Sequence, residues 1–324
     1  MTSLGAGNVK KKKTLLEWAR SRKGQQAIII AAFMIIPLVL LFTFTYFPFA
    51  KMFEFSFYRM KYVGARKFVG LQNYIDVFTR DDIIDAFKLS GYYLVGALIQ
   101  IGLALYLATI LSFKVRGQSF FKGVIFFPYL ISGIAIGFIF KFFYTRGFVF
   151  DTVLQWLGFE LENLPYWLKT QGLNNVSIAA TSVWRYLGQN MVLFIGAIMS
   201  VNNDLYEAAE LDGANKFQQF LHIILPSIKT IVTLNVILAI TGSISAFEQP
   251  YVITQGANGT STYFILMHNI AHTSQKVGLA SAMAIVLFCI IFIVTILQQA
   301  FFKYVYRNID AEDNVQAPKK KRAK

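Results

Sequence analysis

The sequence predicts an all-α fold, a polytopic membrane protein with six transmembrane helices, on three observations. Hydrophobic residues make up 56% of its 324 positions, and they gather into long blocks instead of alternating with polar ones. Six blocks reach the roughly twenty residues needed to cross a bilayer core once Gly, Ser and Thr are allowed inside them. Blocks this long and continuous do not fit the ten-residue alternating strands of a closed barrel, the other structure that satisfies its backbone within lipid.

In chain order the expected spans are Ala27 to Phe49, Leu89 to Leu111, Phe120 to Phe143, Ile178 to Val201, Ile228 to Thr254 and Val277 to Phe301. Residues 1–26 read as a basic tail with an interfacial helix, because Leu15 to Lys23 mixes Leu and Trp18 with Arg20, Arg22 and Lys23. Residues 27–305 then form one six-span domain and residues 306–324 a second basic tail. Residues 1–13 and 310–324 carry too little apolar surface to order themselves. The first span is expected to be retained, since Tyr46-Phe47-Pro48-Phe49 stands where a small-residue cleavage site would be. Between the third and fourth spans, Asp151 to Leu157 reads as a short helix ending at Gly158.

The formal net charge of +14 lies mostly at the ends. Lys10 to Lys13, Arg20, Arg22 and Lys23 precede the first span, and Lys303, Arg307 and Lys319 to Arg322 follow the last, which places both termini in the cytoplasm and makes a nucleic-acid partner unnecessary. Lys114, Arg116 and Lys122 agree for the second loop, and Asp151, Glu160 and Glu162 for the third. The first outer loop, residues 51–88, mixes both signs and is outweighed.

Few residues suggest bond-making chemistry. His268 and His272 are one helical turn apart but have no Cys or carboxylate beside them at ligand spacing. Cys289 is alone, which excludes an intrachain disulfide. No Gly-x-x-x-x-Gly-Lys-Ser/Thr segment cradles a nucleotide phosphate, so no cofactor is expected on this chain, and energy for uphill work must come from elsewhere.

The most informative segment is polar and lies between the fourth and fifth blocks, at about 203–227. Glu207, Ala208 and Ala209 favour helix, Asp212-Gly213-Ala214 supplies a break at a residue that tolerates a left-handed turn, and Leu225-Pro226 opens a further helix. On its own this reads either as a capped amphipathic turn at the membrane surface or as a docking element. The pattern Glu207-Ala-Ala-x-x-Asp-Gly-Ala, followed by Phe217, Ile224 and Leu225-Pro226, resembles the EAA loop of membrane permease subunits of ATP-binding-cassette (ABC) importers. Phe68-Val-Gly-Leu-Gln-Asn-Tyr74 is similar to the Phe-x-Gly-Leu-x-Asn-Tyr motif of the sugar-importing, maltose-type (type I) branch, and Phe126-Phe-Pro128, Trp184 and Phe247-Glu248 leading to Thr254 sit where that branch has them. One departure is Thr254-Gln-Gly256-Ala-Asn-Gly259, where the branch commonly has Thr-x-Gly-Gly-Pro, so the turn there is expected to differ.

The resemblance implies a type I importer permease fold in a bacterial-type cytoplasmic membrane. It implies a second permease subunit in a heterodimer, two ATP-binding subunits holding ATP and Mg, and an extracytoplasmic solute-binding protein. Glu207, Ala208, Ala209, Asp212, Gly213, Ala214, Phe217, Leu225 and Pro226 would couple to the ATPase, with Phe217 and Phe220 anchoring the loop. Ionisable side chains at membrane depth are costly, which singles out Arg185 and Glu248. Both either serve the substrate pathway or snorkel to water. Gln189 and Asn190, Ser243 and Gln249 are polar neighbours suited to a carbohydrate, and Trp184 and Phe247 have faces on which a sugar ring stacks. Arg185 equally suits an acidic sugar or glycerol phosphate. An ion-coupled carrier built on Glu248 and Pro250 is the reading from another class, and it leaves the Glu207–Pro226 pattern unexplained.

Overall fold

The computed structural model describes the backbone of residues 21–113 and 115–316, and the side chains of residues 21–26, 28–113 and 115–305. Most of the interfacial helix expected at Leu15 to Lys23, Lys114, and the outermost parts of both tails lie outside the described residues. The chain divides into two compact units, Met1–Phe55 and Ser56–Lys324.

The first unit is one helical rod. Helix α1 (Arg22–Leu41) starts at Ser21, whose hydroxyl accepts from the Gly24 amide at 3.1 Å. It continues through a widened π turn, Phe42–Tyr46, into α2 (Phe47–Phe55). The widening precedes Pro48, which has no N–H and whose ring crowds the carbonyl one turn back, so the ladder loosens there without breaking. Its side chains between Ile28 and Phe49 are exposed in the isolated chain, as lipid-facing ones are.

The second unit begins with a two-stranded hairpin, β1 (Tyr58–Arg59) and β2 (Lys67–Phe68), antiparallel with Tyr58 opposite Phe68. Then come α3 (Gln72–Thr79), α4 (Asp81–Lys88) and α5 (Ser90–Ser112). The buried Asn73 side chain, 4% exposed, donates from Nδ2 to the carbonyls of Ser56 and Tyr58 at 2.7 and 3.0 Å. Tyr74 Oη lies 2.6 Å from Ser56 Oγ. Asn73 and Tyr74, the end of the Phe68–Tyr74 motif, thus knot α3 onto the chain that precedes it. At α4, Arg80 binds both oxygens of Asp82, at 3.0 and 2.6 Å.

The third apolar block is not one straight span. It forms α6 (Gln118–Leu130) and α7 (Gly133–Phe143), which meet at 97° across extended Ile131 and Ser132. Pro128 weakens the last turn of α6, and the backbone leaves the helical region three residues later. The short helix after it is α8 (Val149–Trp156), closed by Gly158 at φ 97°. Fully buried Asp151 holds this loop, accepting from the Gly147 amide at 2.6 Å and Trp167 Nε1 at 2.7 Å.

Helix α9 (Leu173–Met199) covers the fourth block, yet it is too polar to rank with the spanning helices on length and composition. Among the described residues four helices meet that test, Arg22–Phe55, Asp81–Ser112, Lys229–Thr254 and Val277–Val305, or five spans if the bent pair is counted. Six are not established by that measure, because of the break at residues 131–132 and the polarity of α9.

The fifth block is α13 (Lys229–Ile244) with α14 (Glu248–Thr254), separated by irregular Ser245 to Phe247. The departure from Thr-x-Gly-Gly-Pro produces a turn with Gln255, Gly256, Asn258 and Gly259 all at positive φ. Asn174 and Asn175 of α9 hold that turn by donating to the carbonyls of Asn258 and Gly259. Helix α15 (Tyr263–His268) leads to α16 (Val277–Gln316). The last helix extends into a segment expected to be disordered, since no Gly or Pro interrupts residues 279–317.

Two clusters carry most of the core. One packs Val77 and Ile83 against Tyr263, Met283 and Leu287. The other joins Ala104 and Ala108 of α5 to Met191 and Phe194 of α9, together with Ile224 and Ile228. Small residues let helices meet backbone to backbone: a Cβ at Gly188 would run into the Ile125 carbonyl and the Phe126 Cα of α6.

Candidate functional site

The segment between α9 and α13 folds as two short helices around a turn. Helix α10 (Asn203–Leu211) is capped by Asn202, whose side chain accepts from the Asp204 amide at 3.1 Å. Gly213 takes φ 78°, and α11 (Lys216–Gln219) opens with a reciprocal capping box between Asn215 and Gln218. A π turn, Phe220–Ile224, and the short helix α12 (Leu225–Ser227), with Pro226 in its first turn, complete the segment. Glu207 and Ala208 are exposed on α10, with Asp212 and Gly213 exposed just beyond it. Ala209 and Ala214 are half-buried.

Of the two expected anchors, Phe220 packs against the core and Phe217 does not. Phe217 is 68% exposed, while fully buried Ile224, with Phe220 packed beside it, ties the segment to α5 and α9. Phe217 stands outward because the capping box turns α11 so that Gln219 faces inward, donating to the Ala214 carbonyl at 3.3 Å. Lys216 adds a brace: its ammonium binds Glu210 Oε1 at 2.7 Å and lies 4.9 Å from the Phe113 ring centroid at the end of α5. Lys216 thereby depresses the Glu210 carboxyl below its ordinary range, and burial raises the Tyr206 phenol. A segment seated by a buried turn, braced at Phe113 and presenting an exposed acidic helix is suited to docking.

The second feature is a cavity of about 480 Å³ within the second unit, between α5, α9 and the α13–α14 break. Gln189, Asn190, Ser243, Phe247, Glu248 and Gln249 line it, as do Gln100 and Ser245. Arg185 stands behind the wall with Nη1 at 2.5 Å from Glu248 Oε2, its guanidinium carbon 5.1 Å from the Tyr186 ring centroid. Trp184 does not join them, since its ring packs edge-on against Phe140 with centroids 5.1 Å apart. The face of α9 that lines the cavity runs through Ser182, Val183, Tyr186, Gln189 and Asn190, and Trp184 and Arg185 lie to either side of it.

Sequence reasoning missed Tyr93, Ser182, Tyr186 and Asn235, which also line the cavity. Ser182 and Tyr186 were within reach of a helical-period reading, as they share a face of α9 with Gln189 and Asn190. Two buried donors of the lining, Gln249 Nε2 and Tyr93 Oη, have no hydrogen-bond partner. The cavity therefore offers amide, hydroxyl and carboxylate groups, two unmatched donors, and the rings of Tyr93, Tyr186 and Phe247. That set suits a hydroxyl-rich solute.

Residues 100–305 match the family described as Binding-protein-dependent transport system inner membrane component. The chain belongs to that family. Among its curated relatives, the probable ABC transporter permease protein YurN of Bacillus subtilis is 30% identical over 85% of this chain and 96% of its own length. The multiple sugar-binding transport system permease protein MsmF of Streptococcus mutans is 31% identical over 82% and 92%. A solved bacterial ABC transporter involved in import of the acidic polysaccharide alginate contains a chain with the same fold, at TM-score 0.76 and 17% identity, over 87% of this chain and 97% of that one. The same transporter was also solved with its alginate-pentasaccharide-bound periplasmic protein. This permease is accordingly an inner-membrane component of a binding-protein-dependent system.

Proposed function

We propose that this permease is a membrane subunit of an ATP-driven importer for a carbohydrate, an oligosaccharide by preference, moved inward by alternating access. The observation that carries the reading is the cavity of amides, hydroxyls and three aromatic rings, joined through α9 to the Glu207–Ala214 segment. The names of the relatives MsmF and AraP, an arabinooligosaccharides permease, support the solute class. Neither support favours glycerol phosphate or an ion-coupled carrier.

In this reading two separate ATPase subunits hold ATP and Mg and grip the Glu207–Ala214 segment and its counterpart on a second, different permease subunit. Glu207 meets the ATPase, Ala208 and Ala209 permit close approach, and Gly213 supplies the bend. Phe217 joins the docking surface, and Leu225 and Pro226 pass the movement to α13. Both termini lie in the cytoplasm, lipid surrounds the apolar helices, and an extracytoplasmic binding protein delivers sugar at the opposite end.

The test is affinity purification of the tagged chain from native membranes in mild detergent, with mass spectrometry of what accompanies it. Wild type is expected to bring an ATPase and a second permease, and the Glu207→Lys, Gly213→Asp double variant to lose the ATPase alone. A chain that purifies by itself, or an ATPase indifferent to the variant, overturns the reading.

A further inference from the structure

Arg185 lies close to the cavity, and taken alone it would mark a site for an acidic sugar or a phosphate ester. Its surroundings reverse that expectation. Glu248 is the single Asp, Glu, Lys, Arg or His among the described residues lining the cavity. Its side chain is 40% exposed, whereas that of Arg185 is 12% exposed and lies behind it. A solute entering the cavity meets the carboxylate first and a guanidinium already committed to it.

The carboxylate is held there from two sides. It pairs with α9 through Arg185, and it rests against Gly133, the first residue of α7, where even a methyl group would collide with it. Glu248 itself is the first residue of α14, just past the break at residues 245–247. Two interruptions of apolar helices thus converge on one side chain, and the glycine provides its seat. An anionic group that docks beside this carboxylate meets a like charge nearer than the guanidinium behind it, so the oriented pair disfavours it at contact distance. Uncharged hydroxyls lose nothing by its presence and gain an acceptor.

We propose that Glu248 is a charge filter: by masking Arg185 and facing the cavity, it sets the permease for uncharged sugars and excludes uronates and sugar phosphates. This rests on the carbohydrate reading above and adds to it the charge class of the solute and the residue that enforces it. Similarity of fold to an importer of an acidic polysaccharide does not decide the matter, since the filter is a property of particular side chains.

The assembled transporter in lipid nanodiscs, free of sugar-headed detergent and of nucleotide, is titrated with maltotriose and with trigalacturonate, and binding is read by saturation-transfer NMR. Wild type is expected to bind maltotriose in preference to trigalacturonate. In Glu248→Gln the acidic probe gains about tenfold relative to the neutral one, and the Arg185→Gln, Glu248→Gln double variant loses that gain. Wild type binding trigalacturonate as well as maltotriose, or an unchanged ratio in Glu248→Gln, overturns the filter while leaving a sugar site in place. Wild type binding neither probe removes the sugar site and the filter together. The wild-type ratio is decisive even where a variant does not assemble.

Discussion

Replacing Asn73 by Ala removes two hydrogen bonds that hold α3 to the hairpin, those from Nδ2 to the Ser56 and Tyr58 carbonyls. Together they are worth about 1–3 kcal/mol net, and the desolvation of a buried carbonyl that loses this donor adds about 1 kcal/mol, so the expected loss is about 2–4 kcal/mol. For a domain of this size that is a fall of about 4–16 °C in the unfolding midpoint. The measurement is a thermal ramp of the detergent-solubilised complex, followed by the fraction that still elutes as a single species. Asn73→Asp tests the cause, because it keeps the volume but sets a carboxylate against two carbonyls, and is expected to cost at least as much. Gln72→Ala is the control: its side chain makes an exposed bond to Asp76, and the change is expected to stay within about 0.5 kcal/mol. An Asn73→Ala midpoint within a degree or two of wild type would refute the argument and make the motif something other than a structural knot.

Three further outcomes are expected. Gly213→Ala meets no atom within 4 Å, so its cost is purely that of a left-handed backbone, about 1–2 kcal/mol; it should raise ATP hydrolysed per sugar imported in proteoliposomes, and Gly213→Asn should do so less. Gly188→Ala forces α9 away from α6 and should cost about 1–3 kcal/mol of thermal stability, while Gly196→Ala on the same helix, with open space around it, should be neutral. Glu210 has its pKa lowered by Lys216, so this pair's support of the docking segment is complete above the ordinary glutamate value and fades as pH falls through the lowered one. Hydrogen exchange in residues 203–219 should be unaffected between pH 7 and pH 6, apart from intrinsic chemistry, and should quicken selectively in strong acid; equal quickening in Lys216→Ala would sink that account.

Apolar block length was enough to locate the helices, because burial in lipid demands it wherever the partners are. The break at residues 131–132 was less legible. Pro128 marked a weak place, but the seat for Glu248 beside Gly133 is made by residues 115 positions apart in the chain, and only the folded protein brings them together. Glu207 to Pro226 was readable since capping and glycine turns are local chemistry. Phe217 was misjudged as an anchor because aromatic identity says nothing of which way a four-residue helix faces. Arg185 and Glu248 are each identifiable as costly charges, yet their mutual pairing is a long-range fact, and neither the resemblance nor the aromatic character that singles out Trp184 says which way its ring turns.

The polarity of α9 bears on how the protein is made. Its 27 residues include Asn174, Asn175, Gln189, Asn190 and Arg185, and an arginine at mid-membrane alone costs about 3 kcal/mol on insertion. Such a segment partitions poorly by itself as it leaves the ribosome, and it needs company already waiting. Synthesis supplies α5 and α6 beforehand, the two helices against which α9 packs through Ala104, Ala108 and the Gly188–Ile125 crossing. Glu248 emerges only later, some sixty residues on. During that interval the nascent chain carries an arginine whose counter-ion has not yet been translated, and the helices made first must shelter it until the last third arrives.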